Sequence, residues 1–112
     1  MIEEIILEYL NENLSVPAYM EEPEPPRGEY VLLEKIGSSE NNRIQSATMA
    51  VQSYADSLYR AAKLNSRVKE VMRDITTIDA VSRCKLNSDY NYTDTETSRY
   101  RYQAVFDVTY YE

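Results

Sequence analysis

The spacing of the apolar residues predicts that the chain begins with a helix. The apolar positions of the first segment recur at intervals of three and four, namely at Ile2, Ile5, Ile6, Tyr9 and Leu10. Glutamates fill much of the opposite side, so the segment has one apolar stripe and one acidic face, which is typical of an amphipathic helix. We therefore expect this helix to pack its apolar stripe against the rest of the fold.

The segments that follow are predicted to be extended. VPAYM at 16–20 predicts a short strand, and its proline favours a sheet edge or the start of a strand. YVLLEKI at 30–36 predicts a buried strand, whereas GSSENN at 37–42 predicts a turn or loop. Between the two strands, segment 21–29 mixes prolines with glutamates. Because proline cannot donate to a regular ladder, a stiff and solvated loop is expected there.

The segment from Arg43 to Tyr54 allows two predictions. Apolar residues spaced by three and four continue through it and favour one long helix, while a weaker alternation fits a strand. From Asp56 onward the helical pattern is consistent, and Asp56 or Ser57 can begin the helix. The pattern also allows a break of this helix near Asn65, where a new N-cap could form.

Two alternating segments, 81–92 and 98–111, predict a long antiparallel hairpin. One side of the first segment carries Cys84, Leu86, Tyr90 and Tyr92. One side of the second carries Tyr100, Tyr102, Ala104, Phe106, Val108 and Tyr110. The order of helix, strands, helix and hairpin predicts a single α+β domain over residues 1–112. Its N-terminal helix and central helix are expected to pack on one face of a mainly antiparallel sheet of four to five strands.

Composition and charge narrow the possible partners. The net charge is −7 and the chain has no basic run, so sequence-specific binding to nucleic acid is not expected. The chain has 11 tyrosines but only one phenylalanine and no tryptophan, and such aromatic residues suit interfaces and the boundary between core and solvent. The acidic N-terminal segment and the lack of a long apolar run predict a soluble, cytoplasmic protein without signal peptide or membrane span.

Few residues offer catalytic chemistry. The chain has no histidine, the usual general base, and its two glycines cannot form a phosphate-binding loop. Cys84 lies in an alternating segment and fits a small buried apolar residue. The acids from Asp89 to Glu96 lack the mid-loop glycine of a calcium loop. We therefore predict no catalytic residue, no cofactor and no metal, and an interaction or structural protein instead of an enzyme.

The order of these segments resembles a family of phage proteins. The phrases that carry the resemblance are PEPPRGEYVLLEKIGSS, IQSATMAVQSYADSLYRAA and YRYQAVFDVTYY, which follow the predicted helix and the VPAYM strand. Together they resemble the tail-completion proteins of long-tailed phages and Gram-positive prophages. Within that group, the chain is most similar to the tail terminator family of the lambda type. The resemblance implies that the segment from Arg43 to Tyr54 is a strand.

The resemblance also implies a structural role. It implies a hexameric ring that caps the head-proximal end of the tail tube, stops tube growth and offers the head–tail joining surface. The implied partners are further copies of the chain, the tail tube protein and the head connector protein, in a virion assembled in the host cytoplasm. The interface residues inferred from the predicted loops and from the last hairpin are Glu21, Glu22, Glu24, Arg27, Ser38, Glu40, Arg43, Arg99 and Arg101.

Two alternative functions stay open at this point. One is a head-completion or connector stopper protein of the same phage module, which would bind the portal side. The other is a small host-directed interaction protein that docks one partner through its tyrosines. In a ring, Glu21, Glu22 and Glu24 are candidates to face the bore, where acidic side chains would repel passing DNA.

Overall fold

The computed structural model describes residues 1–96 and 99–111 and has the predicted α+β architecture. Two helices, five strands and one short 3-10 helix follow each other along the chain. In chain order they are α1 (Ile2–Asn13), β1 (Ala18–Tyr19), β2 (Tyr30–Asn41), β3 (Ile44–Ala55), α2 (Leu58–Arg73), the 3-10 helix (Ile75–Thr77), β4 (Val81–Asn91) and β5 (Tyr100–Tyr110).

The five strands form one sheet in the order β1-β2-β3-β5-β4. β1 runs parallel to β2, with Ala18 opposite Val31, and every other neighbouring pair is antiparallel. The short strand predicted in VPAYM is confirmed as an edge strand, although only two of its residues pair. The prediction of a mainly antiparallel sheet of four to five strands is confirmed, with one parallel pair at its edge.

Both helices cover the same face of the sheet. α1 packs over β1 and β2, and α2 packs over β3, β5 and β4. The core between helices and sheet is apolar and includes Ile6, Leu10, Val31, Leu33, Met49, Val51, Val68, Met72, Phe106 and Val108. Each fully buried side chain of this kind contributes about 1.5–3 kcal/mol relative to its exposed state. No helix within residues 1–96 and 99–111 covers the opposite face of the sheet.

β3 resolves the ambiguity in the middle of the chain, because the segment is a strand and not a helix. β3 is the central strand, and its residues after Ile44 are buried or half-buried on both faces. Met49 and Val51 point into the core under the helices, whereas Ala50 and Tyr54 are buried on the opposite face. Apolar residues on both faces produce a spacing of three and four that imitates a helix. The strand implied by the family resemblance is therefore correct for this segment.

The loop predicted at 37–42 is wrong. β2 continues to Asn41 and pairs with β3 along its whole length, with one bulge after Lys35. The connection to β3 consists only of Asn42 and Arg43, whose φ angles are 53° and 70°. Positive φ at both central residues is the geometry of a tight hairpin turn. The polar composition suggested a loop because this half of β2 is exposed on both faces.

α2 begins where the sequence predicts and continues without the allowed break. The Ser57 side chain caps the helix, because its oxygen accepts a hydrogen bond from the backbone N–H of Arg60 at 3.1 Å. Asn65 is only 2% exposed, and its amide donates to the Asp89 carboxylate on β4 at 3.1 Å. Lys69 donates to the same carboxylate at 3.2 Å. The polar residue that suggested a helix end is instead a buried contact between α2 and β4.

The hairpin of β4 and β5 is confirmed, but the predicted sides of β4 are partly wrong. A register shift after Leu86 inserts one extra residue into β4. Such a bulge reverses which residues point to each face. Cys84 and Leu86 remain on the helix side. Tyr90 and Tyr92 lie on the helix-free face instead, where they contact Gln103 and Arg101 respectively. Strict alternation could not detect this reversal.

β5 follows its predicted alternation. The side chains of Ala104, Phe106, Val108 and Tyr110 are buried in the core under α2. Nearer the start of the strand, Tyr100 is 39% exposed. Only the side chains from Ala104 to Tyr110 on this side of β5 therefore belong to the core.

Candidate interaction surface

Tyrosines and arginines gather on the helix-free face, at the end of the sheet where β2 and β5 begin. We call this group the tyrosine–arginine cluster. Its members are Tyr19, Tyr30, Gln52, Tyr54, Tyr90, Tyr92, Arg99, Arg101 and Gln103. The cluster joins residues from all five strands and from the segment just before β5, which are far apart in the sequence.

A stack of tyrosine rings forms the centre of the cluster. The ring of Tyr30 lies 4.8 Å from that of Tyr54 with an interplanar angle of 13°, and Tyr19 lies 6.1 Å from Tyr30. Tyr30 and Tyr54 are 1% and 5% exposed although no helix covers this face. Burial raises the pKa of Tyr30 above its ordinary value, and its hydrogen bond to Glu22 adds to the effect. Its hydroxyl therefore stays protonated and acts as a donor.

Arg101 links this stack to β4. Its Nη1 donates to the Tyr54 hydroxyl at 2.8 Å, and its Nε donates to the carbonyl oxygen of Tyr92 at 2.6 Å. Its guanidinium carbon lies 4.4 Å from the centre of the Tyr92 ring, a cation–π contact. Arg101 is therefore held by two strands other than its own.

Glutamine side chains continue the hydrogen bonding across the face. Tyr54 donates its hydroxyl proton to Gln52 Oε1 at 3.2 Å, and Gln52 donates to Gln103 Oε1 at 2.8 Å. Gln103 then donates to the Tyr90 hydroxyl at 2.6 Å. This chain of bonds runs from β3 through β5 to β4. It orders the side chains of the face and leaves Tyr90 and Tyr92 more than 40% exposed at its border.

Arg99 fastens the proline-rich loop to the cluster. It donates to the carbonyl oxygen of Gly28 at 2.7 Å and to the Asp56 carboxylate at 2.9 Å, and it lies over the Tyr30 ring. Glu22 accepts a hydrogen bond from the Tyr30 hydroxyl at 2.9 Å. The predicted loop at 21–29 is thus exposed but tied to the sheet at several points.

The predicted interface residues do not form one site. Glu21, Glu22, Glu24 and Arg27 are exposed on the loop at one end of the sheet. Ser38, Glu40 and Arg43 are exposed on the β2–β3 hairpin, toward the other end. Arg99 and Arg101 are half-buried and engaged within the chain, so they support the surface.

The proline of VPAYM indicated an edge strand, but the free part of β2 and the edge position of β4 were not recognised from the sequence. β1 covers β2 only near its start, and from Leu33 to Asn41 no described strand pairs with the outer side of β2. All of β2 from Glu34 onward is exposed. β4 forms the other edge and exposes Arg83 and Lys85. The only available signal was the charge of these segments, because pairing order cannot be read from periodicity.

Depressions on the surface are shallow and lack catalytic groupings. One of about 350 Å³ lies on the helix-free face and is lined by small residues such as Ser39, Ser46 and Thr48 together with Asp107. Within residues 1–96 and 99–111, no group of three or more side chains could hold a metal ion. Burial raises the pKa of the Cys84 thiol to about 11, with Asp107 adding to the effect. This thiol is therefore a poor nucleophile at neutral pH.

In comparisons with known proteins, no family model and no curated sequence matches the chain. Among the described residues, neither helix combines the length and the apolar character of a membrane span. The function must therefore be inferred from the sequence pattern and from the surfaces described above. Those surfaces are two unlike sheet edges and a polar, tyrosine-rich face.

Proposed function

We propose that the chain is a phage structural protein that caps the head-proximal end of a tail tube as a closed ring. The observation that carries the proposal is the sheet with two different free edges, the part of β2 from Leu33 to Asn41 that β1 does not cover on one side and β4 on the other. The family resemblance in the sequence supplies the biological setting. The resemblance and the edges are independent, because one rests on sequence phrases and the other on strand order.

Unlike edges favour assembly of one copy after another. If β2 of one copy contacts β4 of the next, each added copy leaves one edge of each kind free. Such a heterologous contact closes into a ring when the rotation per copy divides a full turn, and otherwise continues as a filament. A closed ring has two unlike faces, one for the last ring of tail tube protein and one for the head connector. The role needs binding geometry and no catalytic group.

Two features of the chain suit such a ring. The tyrosine–arginine cluster ties all strands together on the helix-free face, so the sheet can hold its shape when loaded by neighbouring copies. The net charge of −7 would keep exiting DNA from adhering to a bore lined by this protein. Glu21 and Glu24 are exposed on the proline-rich loop and are candidates for that lining.

Electron microscopy of phage particles assembled without this protein tests the proposal. Loss of a tail cap is expected to give overlong tails without heads. Normal tails beside leaking heads would instead indicate a connector stopper and would overturn the tail-side role. Unchanged particles would overturn both phage functions and favour the host-directed alternative.

A further inference from the structure

We propose that the subunit contact joins an acidic side of one copy to a basic side of a second copy of the same chain. This inference rests on the proposed ring and specifies which surfaces close it. The acidic side consists of α1, β1, the loop at 21–29 and β2. The basic side consists of α2, the 3-10 helix and β4. The sheet order places the free part of β2 and β4 at opposite lateral edges, whereas α1 and α2 contact each other between them.

The β2 side carries a strong excess of negative charge. Residues 1–41, which supply all of its elements, contain ten acidic residues and two basic ones. One of the two bases, Lys35, is already paired with Glu3 at 3.5 Å. Glu34 and Glu40 lie on the free part of β2, are exposed, and have no ion pair within the described residues.

The β4 side has the opposite sign although the whole chain is acidic. Residues 58–91 contain seven basic residues and four acidic ones. Arg60, Arg67 and Lys69 are paired within the chain, with Glu29, Glu70 and Asp89 respectively. Lys63 lies beside Arg60 and Glu29, away from the β4 edge.

Three further cations of this side are unpaired and lie at or beside the free edge. They are Arg73, near the end of α2, and Arg83 and Lys85 on β4. All three are exposed and form no ion pair in the part of the chain that the structure describes. A complementary acidic surface on another copy accounts for these exposed, unpaired cations on an otherwise acidic protein.

This arrangement selects one pairing and opposes the others. Two β2 sides would bring glutamates together, and two β4 sides would bring arginine and lysine together, so like edges repel. Charged residues on edge strands ordinarily prevent strand-to-strand association. Here the charges of the two edges have opposite sign, so they block association of like edges and permit the head-to-tail contact that a ring requires.

Two charge-reversal variants test the contact. The variant E34K/E40K makes the free part of β2 basic, like the β4 edge, and R83E/K85E makes the β4 edge acidic, like the free part of β2. All four positions are exposed, and circular dichroism will verify that both variants fold. Glu96→Lys, an exposed site in the β4–β5 connection, is the control for a change of net charge.

Assembly is measured by native mass spectrometry, alone and on tail tubes. Each variant alone is expected to need at least tenfold higher concentration than the wild type to assemble. An equimolar mixture of the two variants should assemble again, because acidic-sided and basic-sided copies can alternate around a ring. Masses in the mixture should then show equal numbers of both variants, and E96K should behave like the wild type.

The inference is overturned if either variant assembles as well as the wild type, or if the mixture stays monomeric while the wild type forms rings. These results would leave the proposed ring intact and move the contact elsewhere. A wild-type chain that stays monomeric with and without tubes would overturn the ring and the contact together, so the two failures are distinguishable.

Discussion

Replacing Arg101 by methionine tests whether the tyrosine–arginine cluster holds the helix-free face together. Methionine keeps most of the apolar stem and removes the guanidinium. The change therefore deletes the bond to the Tyr54 hydroxyl at 2.8 Å, the bond to the Tyr92 carbonyl at 2.6 Å and the cation–π contact at 4.4 Å. No other described side chain of the cluster can reach both partner strands in its place.

The expected cost follows from these contacts. Hydrogen bonds from a charged donor contribute about 1.5–3 kcal/mol each when buried, and a cation–π contact about 0.5–1 kcal/mol when exposed. Arg101 is half-buried, so water competes for its donors and reduces these values. We expect Arg101→Met to lower the free energy of unfolding by about 2 kcal/mol. Tyr54→Phe, which removes the hydroxyl alone, should cost about 1 kcal/mol.

Urea unfolding of the two single variants and the double variant measures the coupling directly. Because Arg101 and Tyr54 share a hydrogen bond, the double variant should lose about 1 kcal/mol less than the sum of the single losses. Arg43→Met is the control, since Arg43 is exposed in the turn, and it should change stability by less than about 0.5 kcal/mol. Additive losses for Arg101 and Tyr54, or a neutral Arg101→Met, would refute the reasoning.

Three further predictions concern the helices and the cysteine. Tyr9→Phe removes the hydrogen bond from a buried hydroxyl to the Val71 carbonyl oxygen at 2.6 Å. Urea unfolding should show a free energy of unfolding lower by about 1 kcal/mol. An unchanged value would mean that this bond does not stabilise the contact between α1 and α2. Ser57→Ala removes the cap of α2 and should cost about 1 kcal/mol, whereas Ser57→Asp should retain most of the stability. Burial raises the pKa of Cys84 to about 11 in the folded state, from 9.0. The protonated thiol therefore stabilises the fold fully below pH 9, and this contribution should be lost as the pH rises through 11. Cys84→Ala should flatten that part of the curve of unfolding free energy against pH, and an unchanged curve would contradict the burial of the thiol.

Elements with one buried side could be predicted from the sequence. α1 and the end of β5 from Phe106 to Tyr110 each bury one face, so their apolar residues follow a single period. The cap at Ser57 was also readable, since capping depends on a local side chain. β3 could not be decided by periodicity because it is buried on both faces. In β4 the bulge after Leu86 changes the phase within one strand, which no constant period describes.

The candidate surface was predictable only in part, because its contacts are long-range. Arg99 and Arg101 were selected from the alternation of β5 as exposed interface residues. Their partners Gly28 and Tyr54 are 71 and 47 positions away, and these contacts make both arginines parts of a framework. Glu40 was selected as an interface residue in a predicted loop; it is exposed, but it lies on a free strand edge, which only the sheet order shows.

Native mass spectrometry of the purified protein across a concentration series, alone and with tail tubes, tests the central claim most directly. We expect closed rings of one size, hexamers according to the family resemblance, formed in solution or on the end of a tube. Open oligomers that grow with concentration would contradict closure. A monomer that ignores tubes at every concentration would contradict the proposed function.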